Sequence, residues 1–288
     1  MKKEIKQIKK LLVANRGEIA IRVFRAASEM DIRTVAIYTF EDRYSLHRYK
    51  ADEAYQIGAN DDPLKPYLDI YKIIKIAKEN GVDAIHPGYG FLSENDEFAD
   101  ACVAAGIIWI GPSGSVMRAL GDKILAKQVA IRANAPIVMA SKGAITDETN
   151  LKIEAKKIGY PVMVKAATGG GGRGMRIVTK EADIVNAYHE ASGEALTAFG
   201  NPAVFVEKYI DNPKHIEVQI IGDLYGNMVH LFERDCSVQR RHQKVVEVAP
   251  ATTLQQETKE KLYRYALDIC GELNYQNAGT VELSLIHI

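Results

Sequence analysis

Lys165-Ala-Ala-Thr-Gly-Gly-Gly-Gly-Arg-Gly-Met175 is the stretch on which the reading of this chain turns. Gly169, Gly170, Gly171, Gly172 and Gly174 put five glycines into six positions. Glycine loses more conformational freedom on folding than any other residue, so such a run persists where backbone must come close to something. Converging N–H groups in a loop of this kind make an anion cradle. Lys165 before the loop and Arg173 within it supply the charges a polyphosphate attracts. By letter the loop contains G-x-G-x-x-G, at Gly169, Gly171 and Gly174. That spacing marks a dinucleotide site only where it opens a helix, and here Met175-Arg-Ile-Val178 reads as a short β-branched strand. Met175 also stands where a Walker motif needs lysine. With the strand Tyr160-Pro-Val-Met-Val164 in front, the stretch is a hairpin: a flap over phosphates, or a plain surface turn.

Upstream, Lys10-Leu-Leu-Val-Ala14 reads as a buried strand, and Asn15-Arg-Gly17 turns it into a helix with Ala20, Val23, Phe24 and Ala27 on one face. Thr34 to Tyr38 is the next strand. A helix between two strands so close in sequence implies a right-handed crossover and a parallel sheet. The turn supplies one glycine where a dinucleotide fold needs three, which argues against a nicotinamide cofactor. Apolar spacing predicts a helix from Tyr67 to Asn80, stopped by Gly81, and then a strand at Ala84-Ile-His86. The loop His86-Pro-Gly-Tyr-Gly-Phe-Leu-Ser-Glu-Asn95 leaves the carboxyl end of that strand, where open α/β sheets bind ligands. It also serves as a connection in which Ser93 caps a helix from Asn95 to Ala105. A strand at Ile107 to Ile110 and the turn Gly111-Pro-Ser113 complete this part.

Downstream, one helix is expected from Ser115 to Asn134 and a strand around Ile137. Helices follow at Thr149 to Ile158 and Lys180 to Ala195, with a strand at Ala203 to Tyr209. Beyond these, apolar and polar residues alternate as they do in antiparallel strands with one buried face. His215 to Ile221 and Asn227 to Glu233 form a hairpin, a helix at Gln255 to Leu273 covers it, and Thr280-Val-Glu282 begins another strand.

The chain of 288 residues has 47% hydrophobic and 26% charged residues, ordinary for a globular protein. A net charge of zero removes any overall electrostatic case for nucleic acid or an anionic membrane, so an anionic ligand needs a local site. Cys102, Cys236 and Cys270 are far apart in apolar segments and read as reduced core thiols of a cytoplasmic protein. The charged start shows no secretory pattern, and no apolar run reaches membrane-spanning length.

Seven motifs, in order, resemble the biotin carboxylase family of ATP-grasp enzymes. They are Asn15-Arg-Gly-Glu-Ile-Ala20, the His86–Asn95 loop, Gly121-Asp-Lys123, Gly169-Gly-Gly-Gly-Arg-Gly-Met175, Glu207-Lys208, His215-Ile-Glu-Val-Gln219 and Arg234-Asp-Cys-Ser-Val-Gln-Arg-Arg-His-Gln-Lys244. The match runs from about Lys9 to Glu282. Glu41-Asp42 with Leu46-His-Arg-Tyr-Lys-Ala-Asp-Glu-Ala-Tyr55 is more similar to the N-terminal region of pyruvate carboxylases than to the free subunit of acetyl-CoA carboxylase. The resemblance implies an α/β, parallel-sheet, Rossmann-like pre-ATP-grasp domain at 1–113 and a connecting helix at 114–134. An incomplete α+β ATP-grasp fold follows, with its lid at 135–205 and the start of the central subdomain at 206–282.

The implied chemistry is phosphorylation of bicarbonate by ATP and carboxylation of biotin through carboxyphosphate, with Mg²⁺ or Mn²⁺ and a biotin carrier domain as partner. Carried over residue by residue, Lys123, Lys165 and the loop Gly169 to Gly174 face the ATP phosphates, Met175 belongs to the same ATP-binding set, and Glu207, Lys208 and Ile210 hold adenine. His215, Gln239 and His242 surround ribose and phosphates, Lys244 lies on the bicarbonate side, and Glu282 is a metal ligand. Family members commonly form homo-oligomers. The plainer alternatives are solvated lysines, a structural His215, an ordinary strand end at Glu207-Lys208, or a binding module without turnover; a relative of carbamoyl-phosphate synthetase is the more distant enzyme. After Glu282, Leu283-Ser-Leu-Ile-His-Ile288 departs from the family and reads as a foreign tail. The family's second metal-binding Glu and its bicarbonate and biotin arginines would lie further on, so the fragment alone is expected to be at most a weak nucleotide binder.

Overall fold

The computed structural model describes residues 6–58, 62–121, 123–167, 174–211, 213–240 and 243–285. Gly169 to Gly172 and His242 lie outside the described residues, and of Lys123 only the backbone is described. The chain divides into two units, one of residues 1–118 with 275–277 and one of 119–274 with 278–288.

The first unit runs β1 (Lys10–Val13), α1 (Gly17–Glu29), β2 (Arg33–Tyr38), α2 (Leu46–Lys50), β3 (Glu53–Gln56), α3 (Ile70–Glu79), β4 (Ala84–His86), α4 (Asp96–Ala104) and β5 (Ile108–Trp109). The strands form one parallel sheet in the order β3-β2-β1-β4-β5. The crossover reading of the first strands is borne out. A parallel sheet buries both faces, and Leu12, Ile37, Ile73, Ile85 and Phe98 are all fully buried. Phe98 meets Trp109 edge to face with ring centres 5.2 Å apart.

Two helix starts differ from expectation because side chains cap them elsewhere. Asp69 accepts from the N–H of Lys72, so α3 opens three residues after Tyr67. Tyr67 instead sits buried in a 3-10 turn, stacked on Phe91 at 5.1 Å. Asn95, not Ser93, caps α4 by accepting from Phe98 N at 2.7 Å. The elements α2 and β3 were not foreseen. Both are short, and Leu46-His-Arg-Tyr-Lys50 lacks an apolar period.

Next come α5 (Gly114–Gly121) and α6 (Lys123–Arg132), over the span where helix is expected. The second unit continues with α7 (Glu148–Ile158), β6 (Val162–Ala166), β7 (Met175–Val178), α8 (Ile184–Phe199) and β8 (Val204–Lys208). These strands make an antiparallel sheet, β7-β6-β8. Val162, Val164, Val204 and Val206 pack with Leu151 of α7 and Ile184 of α8 in its core. The strand expected near Ile137 is reduced to two isolated bridges, Ala140 to Glu207 and Ile145 to Val204.

The rest is β9 (Lys214–Gly222), β10 (Met228–Arg240), β11 (Gln243–Val248), α9 (Gln256–Glu272) and β12 (Asn277–Leu285), with sheet order β11-β10-β9-β12. The first hairpin is as expected, but β10 runs on to Arg240. Within the polar motif that starts at Arg234, the residues up to Arg240 are strand, paired with β9 and β11. Helix α9 buries Leu262, Ala266 and Cys270. Residues 283–285 continue β12.

Phe98→Ala is expected to destabilise the protein by about 3–5 kcal/mol, because the first unit's core cannot close over the space. Denaturant midpoints check this, and a loss under about 1 kcal/mol contradicts the packing described.

Candidate nucleotide site

Side chains alternate across a strand, and that period builds the site. With Val162, Val164 and Ala166 buried beneath, β6 turns Met163 and Lys165 to the opposite face. In β8, Val204 and Val206 go down and Glu207 comes up. The register pairs Met163 with Glu207 and Lys165 with Phe205, so Lys165 and Glu207 are diagonal neighbours. The Lys165 ammonium donates to Glu207 Oε1.

This face and the four-stranded sheet enclose a cleft of about 450 Å³. Met163, Met175 and Ile177 line it on the lid side; Ile210, His215, Ser237 and Gln239 line it opposite, with Ser284 of β12. Apolar walls with a few polar groups at one end are what a flat heterocycle bearing a charged tail requires. The Lys208 ammonium is turned away, donating to the carbonyls of Gly159 at 2.9 Å and Tyr160 at 3.1 Å. Its main chain therefore lines the cleft while its charge is used elsewhere. Gln239 Nε2 donates to Cys236 O, and His215 N to Ser237 Oγ. Where the lid hairpin leaves the described residues, Gly174 has φ +67° and lies close to Ala166; a Cβ there would stand 3.0 Å from the Ala166 methyl.

A second cluster lies in the same sheet. Glu217 of β9 is buried, and the register sets it opposite Arg234 of β10. Arg234 pairs with Glu217 Oε1 and, at 3.1 Å, with Glu247. Lys244 Nζ donates to Glu217 Oε2 and to Glu282 Oε1, each at 2.5 Å. Burial alone would raise the Glu217 carboxyl pKa, but the Lys244 hydrogen bond and the Arg234 charge outweigh it and hold it below the usual carboxylate range. For Lys244 burial would lower the pKa, and the two carboxylates instead hold it well above the ordinary lysine value. As it stands, Lys244 is a cation fixed between two carboxylates.

Glu217, Cys236 and Glu247 bring three ligand-type atoms within 4.8 Å of one another. Arg234 and Lys244 already neutralise this group, and burial pushes the Cys236 thiol pKa up, so it is an ion-pair network. Glu282 is exposed and pairs with Lys244. Sequence reasoning selected Lys244 and Glu282 but passed over Glu217 and Lys127. The available signal was an acid between His215 and Gln219 on the polar side of an alternating strand.

In the first unit, Asn15 and the loop after His86 meet at the carboxyl ends of β1 and β4. Asn15 Nδ2 donates to Pro87 O at 2.7 Å and Tyr89 O at 2.8 Å. Gly88, at φ +69°, lies so near that a Cβ would stand 2.6 Å from that nitrogen. The two motifs are thus locked to each other. Cys102, Cys236 and Cys270 are buried and unpaired. Among the described residues no helix is long and apolar enough to cross a membrane.

A lid sheet and a larger sheet gripping one cleft, after a parallel-sheet unit, define an ATP-grasp protein. Residues 7–117 match the biotin carboxylase N-terminal domain, and residues 122–287, more than half the chain, match the ATP-binding domain of the carbamoyl-phosphate synthase L chain. The chain belongs to the biotin carboxylase family. Over 278 residues it is 56% identical to the pyruvate carboxylase of Staphylococcus aureus, covering 96% of this chain and 24% of that one. The chain thus spans about a quarter of the length of such curated relatives. Among solved structures, the biotin carboxylase domain dimer of Hydrogenobacter thermophilus 2-oxoglutarate carboxylase, in complex with MgADP, ADP and bicarbonate, matches with TM-score 0.89 and 49% identity. That match covers 97% of this chain and 61% of the other. The Campylobacter jejuni biotin carboxylase complex with β,γ-ATP gives TM-score 0.90 and 47% identity, over 96% and 62%.

A carboxyl whose folded pKa is depressed contributes stability above its unfolded pKa, and loses it as pH falls through the folded value. Glu217→Gln is therefore expected to be less stable than the parent chain at pH 7, with the gap closing below the ordinary value near 4.5. Urea midpoints between neutral and acid pH test this; a gap independent of pH contradicts the ion-pair account.

Proposed function

We propose that this chain is the nucleotide- and bicarbonate-binding part of a biotin-dependent carboxylase, most like the forepart of pyruvate carboxylase. In this reading the longer enzyme carboxylates pyruvate to oxaloacetate, through biotin on a carrier domain. The observation that carries the reading is the cleft itself. Lys165 is held by Glu207 on one wall, His215 and Gln239 stand on the other, and Lys244 is fixed as a cation in the adjoining sheet. Neighbours solved with ADP, magnesium and bicarbonate lend the ligand set.

Adenine lies against Met163, Met175 and Ile177, read by the main chain of Glu207 to Ile210. Lys165, Lys123, the glycine loop Gly169 to Gly174, Gln239 and His242 attend ribose and phosphates. Fixed donors of this kind stabilise charge as phosphoryl transfer proceeds. Lys244 holds bicarbonate for attack on the terminal phosphate. Glu282 would hold Mg²⁺ or Mn²⁺ through a hard carboxylate oxygen, and the ion would offset phosphate charge. His215 borders the same pocket. A carrier domain as partner, homo-oligomer formation and a cytoplasmic setting belong to the same proposal. The likeness to the Campylobacter jejuni biotin carboxylase favours, as second reading, a subunit of acetyl-CoA carboxylase.

In the enzyme that carries this chain, Lys244→Met is expected to lower bicarbonate-dependent ATP cleavage by about a hundredfold or more, the scale of losing one preorganised charge. ATP binding should persist. Unchanged cleavage sinks the assignment, and biotin-independent cleavage of the same rate points to a different ligase.

A further inference from the structure

The lysine that faces the phosphates in this reading shares its carboxylate with another. On α6, Lys127 places its Nζ 3.4 Å from Glu207 Oε2, while Lys165 occupies Oε1. Each oxygen of Glu207 thus takes one ammonium. Lys127 also stands 5.0 Å from the centre of the Phe205 ring, two residues before Glu207 on β8. Its far side borders a separate, mostly apolar cleft of about 400 Å³ that includes Ile131, Phe205 and Ala167. Lys127 borders that cleft, and Glu207 borders the nucleotide site.

We propose that Lys127 is a positioning residue for nucleotide binding, acting on Lys165 through Glu207. The proposal rests on the nucleotide reading of the larger cleft. Two effects carry it. The first is geometric: with Oε2 engaged, the carboxylate cannot turn to take Lys165 with both oxygens and draw it away from the ligand. The second is charge. Lys165 and Glu207 alone sum to zero, whereas Lys127, Lys165 and Glu207 sum to +1. That surplus faces a cleft proposed to receive a polyanion, and partial burial lets it act at close range: Glu207 is 15% and Lys127 30% exposed. Lys127 does not line the nucleotide cleft itself.

The test is the affinity of the chain for MgATP and, separately, for adenosine, by equilibrium dialysis of the parent, Lys127→Met, Lys127→Arg and Lys165→Met. Adenosine has the heterocycle and lacks the phosphates. Lys127→Met is expected to weaken MgATP about fivefold, the upper range for one partly exposed ion pair, and to leave adenosine unchanged. Lys127→Arg should restore MgATP binding. Equal losses for both ligands, or a loss that Arg does not restore, would show a merely structural role and overturn the proposal. So would unchanged MgATP affinity in Lys127→Met when Lys165→Met weakens it. Failure of the parent chain to bind either ligand is a different pattern, one that removes the nucleotide reading together with the inference built on it. Circular dichroism of each variant separates misfolding from lost affinity; should Lys127→Met misfold, Lys127→Gln takes its place under the same criteria.

Discussion

The register of β6 against β8 is the constraint on which the site depends. Side chains repeat every two residues, so a slip of one position would send Lys165 and Glu207 into the core and bring valines to the cleft. Val162, Val164, Val204 and Val206, all fully buried, make that slip unfavourable. Apolar packing on one face of a small sheet thereby fixes an ion pair on the other. The same logic operates in the larger sheet, where Ile216, Val218 and Ile220 are buried and His215, Glu217 and Gln219 share the polar side.

Much of this was legible in the residues. The apolar runs around β1, β2 and β4 gave a parallel sheet. The glycine stretch between two β-branched runs gave a hairpin, and motif order gave the family. Legibility ended where one side chain overrode a local pattern. Asp69 moved the start of α3, Asn95 replaced Ser93 as a cap, and the segment near Ile137 formed only bridges. Elements without apolar periodicity, such as α2 and β3, left no trace to read.

The site shows the same division. Lys165, Glu207, Lys244 and Glu282 could be named from motifs, but not that Lys165 and Lys127 share Glu207, nor that Lys244 lies between Glu217 and Glu282. Such pairings join residues up to 80 positions apart, as Lys127 and Glu207 are, and depend on strand order rather than on local sequence. In both clusters a carboxylate holds a lysine in place. A charge fixed before the ligand arrives needs no reorganisation when it binds.

Hydrogen exchange with and without millimolar MgATP tests the central claim, that one cleft between the two sheets of the second unit receives the nucleotide. Amides of residues 162–166 and 204–210 are expected to exchange more slowly in its presence, while those of α4 in the first unit keep their rates. No change at 204–210, or an equal slowing across the whole chain, would contradict it.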